Sequence, residues 1–336
     1  MINFSTSAFV QAIMRDRKRK AFPLLVSPGM QLTGSRVVDT HRDGGLQFDC
    51  IKALVETFPM DAAFTFMDLS IEAECFGAGL SFPEHDVPTV STCVVQGVAD
   101  IASLKVPEVG AGRTGEALDS ASRCAKGLDL PVFACCIGPF SLAGRLADMT
   151  EMMYWAAAEP EQAHALLAKC AQFLAAYARA LKATGVSGIV IAEPAAGLVS
   201  PEMCGEFSST YIAPIIEELR DDGFMFILHN CGNTVKQVEQ LLSTRPDALH
   251  VGNAVDVLDI LPQVPGTIPV LGNIDPVGVL KAGPPKAVRE RTTALLEATR
   301  SFPNFAISSG CDIPLDVPIQ NIRAFFDAVE EYNSAF

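Results

Sequence analysis

Phe224-Met225-Phe226-Ile227-Leu228-His229-Asn230-Cys231-Gly232 is a run of five apolar residues that ends in His-x-Cys and breaks at glycine. A short, continuous apolar run without alternation is the pattern of a strand buried on both faces, as in a parallel sheet covered by helices. Side chains two apart on a strand point to the same side, so His229 and Cys231 share a face. In a barrel of parallel strands the active site gathers at the carboxyl ends. The two donors therefore stand where chemistry is expected, and a borderline-soft cation would find two ligands there.

Outward from this run the same pattern repeats. Short apolar, β-branched stretches occur at 22–26, 62–67, 132–137, 188–192, 224–228, 248–251, 268–271 and 305–308, eight in all. Segments with helical periodicity lie between them, clearest at 160–183, where Ala165, Leu166, Cys170, Phe173, Leu174, Tyr177 and Leu181 form one stripe. Ser200-Pro201-Glu202 reads as an N-cap followed by a first-turn proline, and Gly185 stands where a helix should stop. Strand and helix alternate as βαβ units, and eight such units in a chain of 336 residues predict an α/β fold of the (β/α)8 TIM-barrel type. With no internal repeat and no linker, residues 1–336 read as a single domain, of which 1–20 form an N-terminal helical extension.

Composition narrows the function. A net charge of −14 leaves no electrostatic footprint for nucleic acid. No run of about 18 apolar residues is present to span a membrane. The basic cluster at 15–20 precedes only a short apolar run broken by Pro23, which does not fit a signal peptide. Ten cysteines in so long a chain, with Cys135 and Cys136 adjacent, fit the reduced thiols of a cytoplasm better than a disulfide framework.

A third ligand should come from another strand end, and Cys311 in Ser308-Ser309-Gly310-Cys311-Asp312 follows the last predicted strand. Ligands from separate strand ends leave a coordination position open, as catalytic zinc requires. Glu193, closing the strand at 188–192, is the candidate to fill that position at rest. Chance alone gives roughly 0.15 His-x-Cys pairs in a chain with five histidines and ten cysteines, so placement carries more weight than the motif. Cysteine is also a common buried small hydrophobe, and a packing reading of the same residues stays open. Asp68, just after the run 62–67, is either a helix-entry acid or a catalytic one. Gly272-Asn273-Ile274-Asp275-Pro276 is explained by turn chemistry. Asp39-Thr40-His41-Arg42-Asp43-Gly44 has the Asp-x-His-x-x-Gly spacing of some cobalt-ligating cobalamin domains, but it precedes a helix instead of following a strand, so the context is wrong.

Taken together, the segments Met67-Asp68-Leu69-Ser70-Ile71-Glu72-Ala73-Glu74-Cys75-Phe76-Gly77, Phe82-Pro83, His229-Asn230-Cys231-Gly232, Leu271-Gly272-Asn273-Ile274-Asp275-Pro276 and Ser308-Ser309-Gly310-Cys311-Asp312-Ile313-Pro314 resemble the uroporphyrinogen decarboxylase superfamily. Within it, the likeness is to the zinc-dependent methylcobamide:coenzyme M methyltransferase branch. That branch's zinc pattern, His-x-Cys followed at long range by Cys, falls on His229, Cys231 and Cys311. The resemblance implies a corrinoid carried on a separate protein, a small-molecule thiol as its partner in methyl transfer, and Asp68 at the position of the decarboxylase's catalytic aspartate. A decarboxylase should carry an arginine-rich segment after the first strand, and here 27–36 holds only Arg36.

The expected function is zinc-dependent methyl transfer between a methylcobamide on a partner protein and a thiol such as coenzyme M. Three other readings stand beside it. One is a zinc-dependent demethylase passing a methyl group from a methoxylated or methylthio substrate to a corrinoid protein. The others are a uroporphyrinogen decarboxylase-like lyase and a zinc-binding scaffold.

Overall fold

The computed structural model describes residues 2–84 and 86–336. Its strands are β1 (Ala63–Phe64), β2 (Gly79–Ser81), β3 (Thr89–Thr92), β4 (Val132–Ile137), β5 (Gly188–Ala192), β6 (Met225–Asn230), β7 (Ala248–Val251), β8 (Val270–Ile274) and β9 (Phe305–Ser309). Seven of them form one parallel sheet in the order β1-β4-β5-β6-β7-β8-β9, with helices in the crossovers. Every residue of β4, β5, β6, β7 and β9 is buried, as strands covered on both faces must be.

The sheet curls until its edges meet through the chain at 20–22. Phe22 N donates to Ile307 O at 2.8 Å and Ile307 N donates to Lys20 O at 3.0 Å, which ties this segment to β9. On the other side Asp61 N donates to Ala21 O, and Ala21 N donates to the Asp61 carboxylate. The predicted first strand at 22–26 thus shrinks to a single bridge at Ala21. Pro23 has no N–H to give a ladder, and Leu24 N donates to the Ser309 hydroxyl instead of a backbone carbonyl. Closure removes the exposed edges a seven-stranded open sheet would leave.

The helix Thr6–Arg15 lies under the amino ends of the strands. Ser5 caps it by accepting from Ala8 N, and Asp222 anchors it by accepting from Ser5 and Ser7. Phe9 packs 5.3 Å from Phe22 and 5.7 Å from Phe133, ring centroid to ring centroid. The long helix Pro160–Ala183 buries Leu166, Cys170, Phe173, Leu174, Tyr177 and Leu181 as its periodicity predicts, but Ala165 faces solvent. Gly185 adopts φ 92°, the left-handed turn expected past that helix's end. Ser200 caps the helix Pro201–Cys204 by accepting from Met203 N.

Two further features differ from the sequence expectation. β2 and β3 form an antiparallel hairpin that no periodicity announced, because its residues are largely exposed. Gly272 and Asn273, read as turn residues, lie inside β8, and the turn begins at Asp275, which accepts from Val277 N and Gly278 N. Phe133 is wholly buried where the helix Thr6–Arg15 meets the barrel. Phe133→Ala should lower the unfolding free energy by about 3–5 kcal/mol, measured by urea denaturation, whereas Leu198→Ala, at an exposed side chain, should stay within about 0.5 kcal/mol.

Candidate metal centre and the cavity beside it

His229 sits on β6, Cys231 one residue beyond its end, and Cys311 two residues beyond β9. One donor atom from each lies within 4.8 Å of the other two, and Cys311 Sγ is 3.8 Å from His229 Nε2. Tetrahedral zinc with bonds of about 2.0–2.3 Å sets its donors roughly 3.4–3.8 Å apart, and the Cys311–His229 pair stands at the upper end of that range. A close backbone approach supports Cys231: a Cβ on Gly252 would fall 2.4 Å from Cys231 Cα, so only glycine lets the β7 loop lie against it. Cys231 is pulled below the ordinary thiol range, first by a hydrogen bond from Cys311 and then by His229. Cys311 is pushed up by the same neighbour and by burial.

His229 is supported from behind. Its Nδ1 lies 2.8 Å from His250 Nδ1 and 3.3 Å from the His250 carbonyl oxygen. His250 Nε2 lies 2.8 Å from Ser308 Oγ, and the Ser308 hydroxyl donates to Phe22 O at 2.6 Å. Sequence reasoning missed His250. The available signal was a histidine inside the apolar run 248–251, and the register pairs it directly with His229.

In front of the triad, Cys231 and Gly232 open into a cavity of about 470 Å³ that is also lined by Ser141, Arg145, Asp148 and Leu198. Val90 and Cys93 reach it from the hairpin side. Arg145 is half-buried, and among the described residues no carboxylate pairs with it. Asp148 holds φ 73° while accepting from Thr150 N, an uncommon conformation for a residue with a side chain.

The two carboxylates singled out from sequence are not among the three gathered donors. Glu193 has its backbone beside His229, whose carbonyl accepts from Glu193 N at 2.9 Å. Its carboxylate turns away: Phe140 N, Ser141 N and the Ser208 hydroxyl all donate to it at the start of the helix Pro139–Ala147. The expectation that Glu193 closes a metal's shell at rest does not fit this arrangement, because both oxygens already serve a helix N-terminus. Burial nonetheless raises its pKa to about 7 against those donors.

Asp68 is the hub of a second cluster. Arg113 pairs with it and, through Nε, with Glu74 at 2.7 Å, while Ser70 donates to it. His41 Nδ1 lies 3.1 Å from the Asp68 carboxylate, off the line of a good hydrogen bond. Burial alone would raise the Asp68 pKa, but His41, Arg113 and Ser70 outweigh it and hold the group at about 2. His41, the histidine of the cobalamin-like spacing, is thus interior and faces Asp68. Arg36, the one cation of 27–36, is exposed and pairs with Asp39.

Fold and site together define a (β/α)8-barrel protein with a three-donor candidate metal centre at the carboxyl mouth. The chain belongs to the uroporphyrinogen decarboxylase (URO-D) family, whose pattern it matches over residues 18–332. It is 27% identical over 308 residues to a methylcobamide:CoM methyltransferase of Methanosarcina acetivorans, covering 90% of this chain and 89% of that one. It is also 27% identical over 305 residues to a uroporphyrinogen decarboxylase of Alcanivorax borkumensis, covering 88% and 85%. A methyltransferase structure from Methanosarcina mazei superposes with a TM-score of 0.86 at 20% identity, covering 98% of this chain and 99% of that one, and shares the fold. Equal identity to both activities leaves the choice between them to the site.

Glu72 offers a test of the buried electrostatics. It is fully buried, accepts from Ile137 N at 3.0 Å, and leaves its other oxygen without a partner. Burial raises its pKa to about 8. Between pH 4.5 and 8 the unfolded chain releases this proton while the folded protein keeps it, so stability falls as pH rises through that window. Glu72→Gln is neutral throughout, so its melting temperature should gain on the wild type from pH 5 to pH 8. Parallel melting curves across that range would show that Glu72 folds as a carboxylate.

Proposed function

We propose that this chain is a zinc-dependent methyltransferase that moves a methyl group between a corrinoid, carried on a partner protein, and a small thiol such as coenzyme M. The observation that carries the reading is the donor set: one imidazole and two sulfurs converge at the barrel mouth, and one of them, Cys231, lines the cavity. A saturated structural zinc site uses four protein ligands, and this one gathers three, with the cavity beginning at Cys231. Zinc held by His229, Cys231 and Cys311 would supply a Lewis acid whose charge is balanced by two thiolates, lowering the pKa of an incoming thiol.

The chain's own residues do the rest. Cys231 and Cys311 give the site its negative charge, which keeps a bound sulfur nucleophilic. Glu193 fixes the start of the helix Pro139–Ala147, and that helix carries Ser141 and Arg145 to the cavity wall. In the transfer, a sulfur lone pair forms the S–CH₃ bond while the Co–C pair stays with cobalt, taking Co(III) to Co(I). The thiol's proton goes to solvent. The reverse transfer demethylates a methylthio compound through the same site.

The decarboxylase reading lacks comparable support, since Asp68 is enclosed by Arg113 and His41 and is almost without solvent exposure. In our reading Asp68 positions Arg113 and the segment 68–74 near the mouth. Residues 1–336 act as one barrel domain, with 1–20 as its helical extension. A reducing cytoplasm suits ten free cysteines, and no described helix is long and apolar enough to cross a membrane.

Protein purified without chelator should hold about one zinc per chain, and Cys311→Ala should lose it while remaining folded. With methylcobalamin and a panel of thiols, loss of the methylcobalamin absorbance identifies the acceptor. Stoichiometric zinc in Cys311→Ala, or turnover of uroporphyrinogen at enzymic rates, would overturn the proposal.

Arg145 is the cation in the cavity, and an anionic thiol entering so acidic a protein needs one. Arg145→Ala should raise KM for 2-mercaptoethanesulfonate by roughly tenfold or more, the size of a lost charged hydrogen bond, and change KM for uncharged 2-mercaptoethanol less than threefold. Equal effects on both thiols would remove Arg145 from the substrate's path.

A further inference from the structure

The contacts behind His229 form a chain in which each proton has one place to go. Phe22 O can only accept, so the Ser308 hydroxyl spends its single proton there, at 2.6 Å. Ser308 Oγ must then accept at its other contact, which makes His250 Nε2 the donor, at 2.8 Å. The two Nδ1 atoms of His229 and His250, 2.8 Å apart, share a single proton. The His250 carbonyl, 3.3 Å from His229 Nδ1, can only accept, so that proton sits on His229. His250 Nδ1 is therefore bare and accepts from it, in keeping with the N–H already placed on His250 Nε2. The remaining nitrogen of His229, Nε2, is left with its lone pair exposed on the side of Cys311 and Cys231.

We propose that His250 and Ser308 are positioning residues: anchored on the Phe22 carbonyl, they set the tautomer and ring orientation of His229 so that Nε2 is presented to the metal centre. All three side chains are almost completely buried, so water does not compete for these contacts. The anchor also comes from the segment that closes the barrel, since Phe22 N donates to Ile307 one residue before Ser308. Ring orientation at the mouth is thus tied to closure of the sheet. Partners of this kind, behind a ligating histidine, contribute roughly 10- to 100-fold to metal affinity.

Two measurements test this. The first does not depend on zinc: ¹⁵N NMR of the metal-free protein at neutral pH should show His250 protonated on Nε2 alone, with an N–H···N coupling from His229 Nδ1 to His250 Nδ1. A His250 proton on Nδ1 would overturn the proposal whatever the protein binds. The second, which rests on the triad being a zinc site, is zinc affinity by chelator competition. His250→Leu should weaken zinc roughly 10- to 100-fold. His250→Asn, whose Oδ1 can accept where Nδ1 did, should recover most of the loss. Ser308→Ala should weaken zinc by a smaller factor, because the His250 carbonyl still accepts from His229. Thermal melts confirm that each variant is folded. Equal zinc affinity in wild type, His250→Leu and His250→Asn would refute the positioning role while leaving the metal centre intact. Absence of zinc binding in the wild type, with the NMR signature present, would instead sink the metal reading and retain the relay.

Discussion

The curl of the parallel sheet is the constraint on which the site depends. β6 and β9 are three strands apart, and in a flat sheet about 4.8 Å per step would separate their ends by roughly 14 Å. Donor atoms from the two ends instead stand within 4.8 Å of each other. Curling the sheet turns the ends of β6 and β9 toward a common axis, so that side chains from both converge at the mouth. That closure rests on a few backbone hydrogen bonds at 20–22, since Pro23 prevents a longer ladder. The same short segment supplies the carbonyl that anchors Ser308. Geometry at the centre and integrity of the barrel are therefore one mechanical problem.

Electrostatics divides the mouth into two regions with different tasks. Around Asp68, a carboxylate is held charged by a guanidinium and an imidazole, and such a compensated interior cluster fixes loops more than it meets ligands. Around the triad the balance is left incomplete, with one thiol drawn toward its thiolate and a cavity in front. Incomplete satisfaction at a concave surface is the usual mark of a place where something binds. This chain's relatives include both a methylcobamide:CoM methyltransferase and a uroporphyrinogen decarboxylase at the same identity, so the contrast between these regions carries more functional information than overall identity.

Much of this was legible in the chain. Period-two geometry alone put His229 and Cys231 on one face, and burial on both sides made β4, β5, β6, β7 and β9 readable as uninterrupted apolar runs. What escaped was whatever lacked a local signature. The β2–β3 hairpin is exposed and short. The pairing of Arg113 with Asp68 spans 45 residues, and His250 looks like an isolated polar residue in an apolar strand until the register sets it beside His229.

Glu193 shows the limit most clearly. The sequence by itself determined that it closes the strand at 188–192, because the end of an apolar run marks where the strand leaves the core. Which way its side chain turns was decided by tertiary structure, since the start of the helix Pro139–Ala147 offers two unsatisfied backbone N–H groups. The alternation of strands and helices, the (β/α)8 class and the ligand types are properties of local pattern, for which neighbouring residues suffice. Distances between donors, the cavity before them and the proton order behind them depend on where separate strands end in space, and that is fixed only when the sheet closes.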